Sequence, residues 1–550
     1  MLNAIMRTSS LPAIGLLLCL VAGSACGAPV FNIVDYGARG DDATPATDAI
    51  RQAIQAAHAA GGGTVYIPAG RYVSGPIELV SNLVLQIDAG ATLRFPAARL
   101  PYTKGRTQGI ETIGPAPLIG GHDLENVTIT GRGVITTDNA EWVKLMGGPT
   151  PRSDAGPGSA FGPDWNQLLA DLRKHTPRPD AEYLKIAPFL RPAFIRLMDS
   201  RNILIEGIHM IGAPFWSVHM LYSENIAIRD VTLETFPGIF TGGIYIDSSR
   251  DVRISDSYLD NGDDAITLKA GKDEDGLRVN RPTENVAISN IVVHRGSGCV
   301  VMGSETSGGI RNVVVSNVVC QNTENGINIK SERGRGGAVE DVRFDNIDMD
   351  NVGIAISVSQ YYQMQGEQPA PEEPVSRRTP VFRDIAISHV TISRARGATD
   401  YSWNPDTVRS VDRAAQPIAI NIDGLPEMPI AGLRISDLVS TGAGGLRARH
   451  TAGLELHHVQ MNTQGRPAFL IRDSQDLELD GVSSRLPAAG VPVVRLDHCP
   501  GAVVRNSRAF TGTGTFLSVG PGELKAVQLV GDALGLARRA TEESAVDLWH

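Results

Sequence analysis

A six-residue pattern recurs along this chain: a turn-forming Asn, Asp or Gly, then alternating apolar and polar residues, then a small break. It reads NVTITG from Asn126, NILIEG from Asn202, NIAIRD from Asn225, DVRISD from Asp251, NVAISN from Asn285 and NVVVSN from Asn312. It continues as DVRFDN from Asp341, DIAISH from Asp384, GLRISD from Gly432, GLELHH from Gly453 and DLELDG from Asp476. The shortest spacings are 21 to 26 residues, and longer ones carry inserts such as 272–283 and 364–380. Each copy has the period of a strand. One such strand cannot bury its apolar face alone, so the copies must stack. Short strands at this spacing with no helices between them predict an all-β fold, a right-handed parallel β-helix. A propeller would repeat every ~40 residues or more. The leading Asn or Asp suits a tight corner, because these residues tolerate the left-handed conformation. Stacked Asn side chains are expected to form an internal ladder.

The N-terminal part differs. Ile50, Ile54 and Ala57 have helical spacing, with Thr47 or Asp48 as N-cap and Gly61–Gly63 as the stop. A short amphipathic helix there caps the open end of the core. Residues 1–28 read as a signal peptide. Arg7 precedes an apolar run, 11–23, that is too short to span a membrane comfortably, and small residues follow. Cys26 as a lipoprotein acceptor is the lesser alternative. The solenoid domain is expected over 29–530, with an insert at about 147–188, either a wall of the cleft or a surface excursion, and a C-terminal tail at 531–550. The chain reads as secreted, periplasmic or extracellular, with no membrane span.

The composition agrees with a globular all-β chain: 59 Gly, 5% aromatic, 20% charged and a net charge of −10. No Lys/Arg run is present, which excludes a nucleic-acid partner. Past the signal region lie Cys299, Cys320 and Cys499. Cys299 and Cys320 either pair or stack as two thiols, and Cys499 reads as a lone buried thiol. A monomer is the default, because stacking hides most strand edges.

The densest chemistry lies in YLDNGDDAITLKAGKDEDG, residues 258–276, where Asp260, Asp263 and Asp264 fall within five residues. Crowded carboxylates raise one another's pKa, so one can hold a proton while its neighbour stays ionised. Asp273, Glu274 and Asp275 follow and read as a solvated edge. An isolated Asp-Asp is more often a capped turn than a catalytic pair.

The wider context supplies a resemblance. FNIVDYGARGD and AIQAAHAAGGGTVYIPAGRYVSGPIELVSNLVLQIDAGATL at the N-terminus, PFWSVHMLYSENIAIRDVTL in the middle, then NGDDAITLKAGKDEDGLRVNRPTENV, GSETSGGIRNV and IKSERGRGG are similar to glycoside hydrolase family 28. The chain resembles a divergent, bacterial-type member of this polygalacturonase and rhamnogalacturonase family over about residues 31–360, and more weakly beyond. The resemblance implies the same right-handed β-helix and an inverting hydrolase of pectic polysaccharide, with no cofactor and no metal. It implies Asp263 as general acid, Asp264 as water activator, and Lys330, Asn328 and Ser297 at substrate-binding positions.

Three positions depart from the family pattern. Its Asn-Thr-Asp is FTGG here, with Gly242 in place of a third carboxylate, one coil before Asp263. Asp247, five residues on, is a poor substitute, and Glu305 and Asp260 are the acids that a shifted loop would supply. Its Gly-His-Gly is Gly296-Ser297-Gly298, and Ser carries no charge. His294, three residues off, reads as structural. Its Arg-Ile-Lys is Asn328-Ile329-Lys330, which keeps one cation and loses the bidentate one. Arg333 and Arg335 stand nearby. The main reading is a hydrolase with a shifted substrate. The alternatives are a catalytically impaired glycan binder and, less favoured, a calcium-dependent lyase, for which this loop lacks the spaced oxygen ligands of a dedicated site.

Overall fold

The computed structural model of the chain describes residues 28–145, 179–362, 371–395 and 418–543, apart from Ile239, Ala443 and Gln464. The repeats stack as the expected right-handed parallel β-helix. Residues 1–27 of the expected signal peptide and residues 147–178 of the insert lie outside the described residues. No helix among the described residues is long and apolar enough to cross a membrane.

All eleven repeat copies begin on a residue with φ between +51° and +67°, the left-handed region. That corner turns the chain between faces, and Asn, Asp or Gly bears it at least cost. The Asn side chains do form ladders, but outside the solenoid and not within it. Asn126 Nδ2 donates to Asn82 Oδ1 at 2.8 Å, Asn202 to Asn126 at 2.9 Å and Asn225 to Asn202 at 2.8 Å, all exposed. The interior positions are taken by the alternating apolar residues of each strand instead.

One face carries the chemistry. There Val218–Leu221, Ile244–Asp247, Ile266–Lys269, the end of Thr283–Gly303, Thr323–Lys330 and Ile354–Ser359 pair in parallel, coil upon coil. Ile418–Asp423, Gly445–Arg449, Phe469–Arg472 and Val494–Asp497 continue the ladder. Period-2 alternation sends Ile244, Ile246, Ile266, Leu268, Ile327 and Ile329 into the core, each at most 2% exposed. The alternate residues form two outward rows in register. One holds Tyr245, Thr267, Val301, Asn328 and Ser357, and the other Asp247, Lys269, Gly303, Lys330 and Ser359.

The capping helix spans Thr47–Ala59 and buries Ala49, Ile50, Ala53, Ile54 and Ala57. Its N-cap is Ala46, with no side-chain cap, and not Thr47 or Asp48. Thr47 Oγ1 accepts from the Gly75 N–H at 2.8 Å instead, and Asp48 pairs with Arg51. The open question over the cysteines is resolved: Cys299 and Cys320 form a disulfide, and Cys499 is free and buried.

An antiparallel hairpin, Tyr102–Thr107 with Ile110–Pro115, breaks the repeat. Its Ile110 packs with Tyr183 and Ile186 of the helix Asp180–Ile186 and with Leu190. The hairpin folds back over the outward rows. Arg106 Nη1 lies 2.6 Å from Asp247 Oδ1 and 2.8 Å from Ser248 Oγ, with the Arg106 and Asp247 side chains fully buried.

The hairpin also corrects the reading of residues 273–275 as a solvated edge. They open a short helix, Asp273–Val279, and Asp273 and Asp275 are buried. Asp275 accepts from the Glu111 N–H at 2.8 Å and pairs with Arg278, while Glu274 pairs with Arg377 and Arg378. Each carboxylate is thus matched by a cation or a backbone donor.

Candidate active site

Asp263 and Asp264 sit in the tight turn that leads into the strand Ile266–Lys269. The turn is tied down by its own backbone. The Asp264 N–H donates to Asp263 Oδ1 at 2.8 Å, and the Ser297 N–H from the next coil donates to the Asp263 carbonyl at 3.1 Å. Gly298 is needed beneath it, since a Cβ there meets Val301 and Asp264 Oδ1.

The two acids are not equivalent. Asp264 is 5% exposed and is held by Lys330 Nζ, 3.1 Å from its Oδ2. Asp263 is only half-buried. Burial of its surroundings, then the neighbouring charge of Asp264, push it up to about 7, against the Asp264 N–H, Lys330 and Lys269. A carboxyl that keeps its proton near neutrality beside an ionised partner is the arrangement that acid and base catalysis requires.

Of the three positions expected to bind substrate, Lys330 and Ser297 contact this pair. Lys330 and Asn328 lie two residues apart on one strand, both on the outward side, and Lys330 Nζ is 5.0 Å from the centre of the Tyr362 ring. Ser297 contributes through its backbone: its N–H holds Asp263, and its carbonyl accepts from Asn325 Nδ2 at 3.3 Å.

The acids nearest the missing third carboxylate are all committed elsewhere. Asp247 belongs to Arg106. Asp260 is gripped at both oxygens by Arg295, at 2.7 and 2.5 Å. Glu305 pairs with Lys269, and although burial opposes it, Lys269 and Arg335 hold its carboxyl at about 2. His294 stacks near Tyr258. Arg333 clamps Glu427, and Arg335 bonds Glu332 and Ser304.

The space at Gly242, where the resemblance implies a third carboxylate, is filled. A Cβ on Gly242 overlaps the ring edge and hydroxyl of Tyr245, three residues on. That ring stacks on Trp216 at 4.1 Å between centroids, and Trp216 stacks on Phe215 at 4.8 Å. Gly242 and Tyr245 are therefore one substitution in physical terms: the small residue makes room for the large one. Gly242→Asp alone is expected to lower stability by about 1–3 kcal/mol, the usual cost of overpacking, with no gain in activity. Gly242→Asp combined with Tyr245→Ala removes the clash and recovers part of that loss. Thermal melts of the two variants test this, and a stable, faster single variant contradicts it.

Sequence reasoning missed Lys269, Arg191, Tyr245 and Trp216. Lys269 was legible in principle, because TLK at 267–269 and NIK at 328–330 share the same outward register. Arg191 was not: it comes from outside the repeat, lies over Phe215 at 5.2 Å, and is brought down to about 10 by burial, which the Asp263 charge partly offsets.

Comparison with known proteins adds the following. The family model "Glycosyl hydrolases family 28" matches residues 189–424, and "Rhamnogalacturonase A/epimerase, pectate lyase-like" matches residues 30–99. A probable polygalacturonase of Vitis vinifera is 28% identical over 72% of this chain and 80% of its own length. An exo-poly-alpha-D-galacturonosidase of Dickeya chrysanthemi is 27% identical over 67% of this chain and 63% of its own length. The solved exopolygalacturonase of Thermotoga maritima superposes with a TM-score of 0.64 at 29% identity, over 75% of this chain and 87% of that one.

Proposed function

The chain belongs to glycoside hydrolase family 28, and from that premise we propose that it cleaves pectic polysaccharide with Asp263 as general acid and Asp264 as the base that activates water. It is a pectin-degrading glycosidase by kinship. The observation that carries the residue roles is the raised, half-buried carboxyl of Asp263 beside an Asp264 held by Lys330. Asp263 donates its proton to the leaving glycosidic oxygen. Asp264 takes a proton from water on the opposite face of the sugar, which inverts the anomeric centre. Lys330 lies where it can hold a uronate carboxylate. Asn328 offers a hydrogen bond where the family has a cation, which suits a neutral hydroxyl and points to a substrate with fewer charges at the cleavage site.

Gly242 supports a second reading, a glycan-binding relative that does not turn over, because the third carboxylate is missing and Tyr245 occupies its place. The test is release of reducing ends from polygalacturonan, rhamnogalacturonan and short pectic oligomers, beside an Asp263→Asn control. Release that the control abolishes supports the hydrolase and names the substrate. Binding without release supports the second reading. The Cys299–Cys320 disulfide is consistent with an exported protein, since such bonds persist in oxidising compartments. A monomer completes the reading.

A further inference from the structure

The floor beneath the acid turn is built for close approach, at the expense of stiffness. Ser297 stands between Gly296 and Gly298. A Cβ on Gly296 would come within 2.8 Å of the Asp263 carbonyl oxygen, and one on Gly298 within 2.8 Å of Asp264 Oδ1. Neither position has room for a side chain, and glycine carries the greatest backbone freedom. Yet two of the bonds that hold the acid turn come from this stretch. The Ser297 N–H donates to the Asp263 carbonyl at 3.1 Å, and the Gly298 carbonyl accepts from the Ala265 N–H at 2.7 Å.

The next residue is Cys299. Ile266 and Val300 are in register, which sets Cys299 opposite Ala265, the residue after Asp264. The Cys299 sulfur is bonded to Cys320, 21 residues on, which is itself in register with Val293 of the preceding coil. The bond therefore closes one coil of the solenoid on itself, directly behind the glycine-flanked floor. Both half-cystines are at most 1% exposed. The Asn325 side chain adds a second grip, donating to the Ser297 carbonyl at 3.3 Å. Among the described residues no other disulfide is present, and Cys499 is free. The covalent tie is thus not a recurring support of the coils but one placed at the acid turn.

We propose that the Cys299–Cys320 disulfide is a positioning element for the reaction. It restores to the Gly-Ser-Gly floor the stiffness that two glycines remove, and so fixes where Asp263 and Asp264 stand. It touches no substrate and acts through the backbone of Ser297 and Gly298. The proposal rests on the reading of this turn as the acid and base pair. Asp264, Lys330, Lys269 and Arg191 all act on Asp263 through their charges. A turn free to shift changes both the aim of the carboxyl and the field it meets.

The test is the full-length protein with Cys299→Ala and Cys320→Ala, beside a second version, Cys299→Ala with Cys320→Val, that refills more of the volume. In both, kcat for release of reducing ends is expected to fall about 10–100-fold, the scale of a small misplacement of reacting groups, with KM little changed. Leu479→Ala, in the core behind a remote strand, Glu478–Asp480, also lowers stability but is expected to keep parental kcat. A second arm needs no turnover. Asp263→Asn is introduced with and without the disulfide, and melting is followed from pH 4 to pH 8. With the bond in place the amide raises the melting temperature at pH 8. Without it that gain is expected to shrink by about half or more, because a loosened turn admits water to the Asp263 carboxyl and brings it back toward its ordinary range. Parental kcat in the disulfide-free protein, a loss no larger than that of Leu479→Ala, or an undiminished gain at pH 8 overturns the proposal. Failure of both versions to fold makes the bond a support of the whole solenoid and overturns it too. Absence of reducing ends from the parent defeats the hydrolase reading alone and leaves the melting arm to decide.

Discussion

Asp263→Asn is expected to lower kcat by about 10²–10⁴-fold, the usual contribution of a positioned general acid, with little change in KM. The amide keeps the shape of the carboxyl but has no proton to give to the leaving oxygen. The pH dependence follows from the same group. In the proposed role Asp263 acts protonated, and it is raised to about 7, so kcat/KM of the parent is expected to fall as pH rises above about 7. The variant loses that limb. Stability moves in the opposite sense. The carboxyl has an ordinary value of 3.8 in the unfolded chain and a higher one in the fold. The folded state therefore holds the proton more tightly, and stability is lost as pH rises from about 4 through about 7. The neutral amide does not ionise, so Asp263→Asn is expected to melt higher than the parent at pH 8 and alike below about pH 4. A variant within a few-fold of parental kcat removes Asp263 from the acid role. A variant that is inactive and less stable at pH 8 shows that the residue serves the fold.

The β-helix was legible because its signal is local and repeated. The corner residue and the period-2 strand both lie within six residues, and eleven copies agree. The closeness of Asp263 and Asp264 was legible because they are adjacent in sequence, while the roles expected of them came from the resemblance and not from the repeat. What escaped was whatever the repeat does not contain. The hairpin Tyr102–Thr107 with Ile110–Pro115 has no counterpart in other coils, and Arg106 meets Asp247 across 141 residues. Without that hairpin, Asp275 looks like one of three solvated acids. With it, Asp275 is the acceptor for the Glu111 N–H. The filling of the Gly242 position by Tyr245 needed only three residues of sequence, yet composition cannot show that an outward-row ring turns back over its neighbour. The pairing of Lys269 with Glu305 escaped likewise, because it joins a strand to the loop after another coil's strand.

Arg106→Ala is expected to cost about 3–5 kcal/mol, the range for stripping one partner from a buried ion pair. The removed guanidinium leaves Asp247 as a buried carboxylate whose remaining neighbour is His219, with Nε2 at 3.5 Å. That imidazole is itself pushed down by burial, which the Asp247 charge only partly offsets, so it is a weak replacement cation. Against the pull of burial, Arg106 holds Asp247 below its ordinary 3.8. The stability this pair contributes is present above about pH 4 and is lost as pH falls through the lower folded value. The gap between parent and variant in urea unfolding is therefore expected to be widest near neutrality and to close in acid. The paired change Arg106→Met with Asp247→Leu removes both charges and is expected to recover most of the loss, because a buried ion pair is often no better than an apolar one. Local effects discriminate further. Arg106 is the hairpin's buried anchor on the outward rows, so amide exchange should accelerate across residues 102–115 before the remaining coils open. A loss under 1 kcal/mol, or exchange that quickens evenly along the solenoid, means that the hairpin is held by its contacts to Asp275 and Lys272 instead.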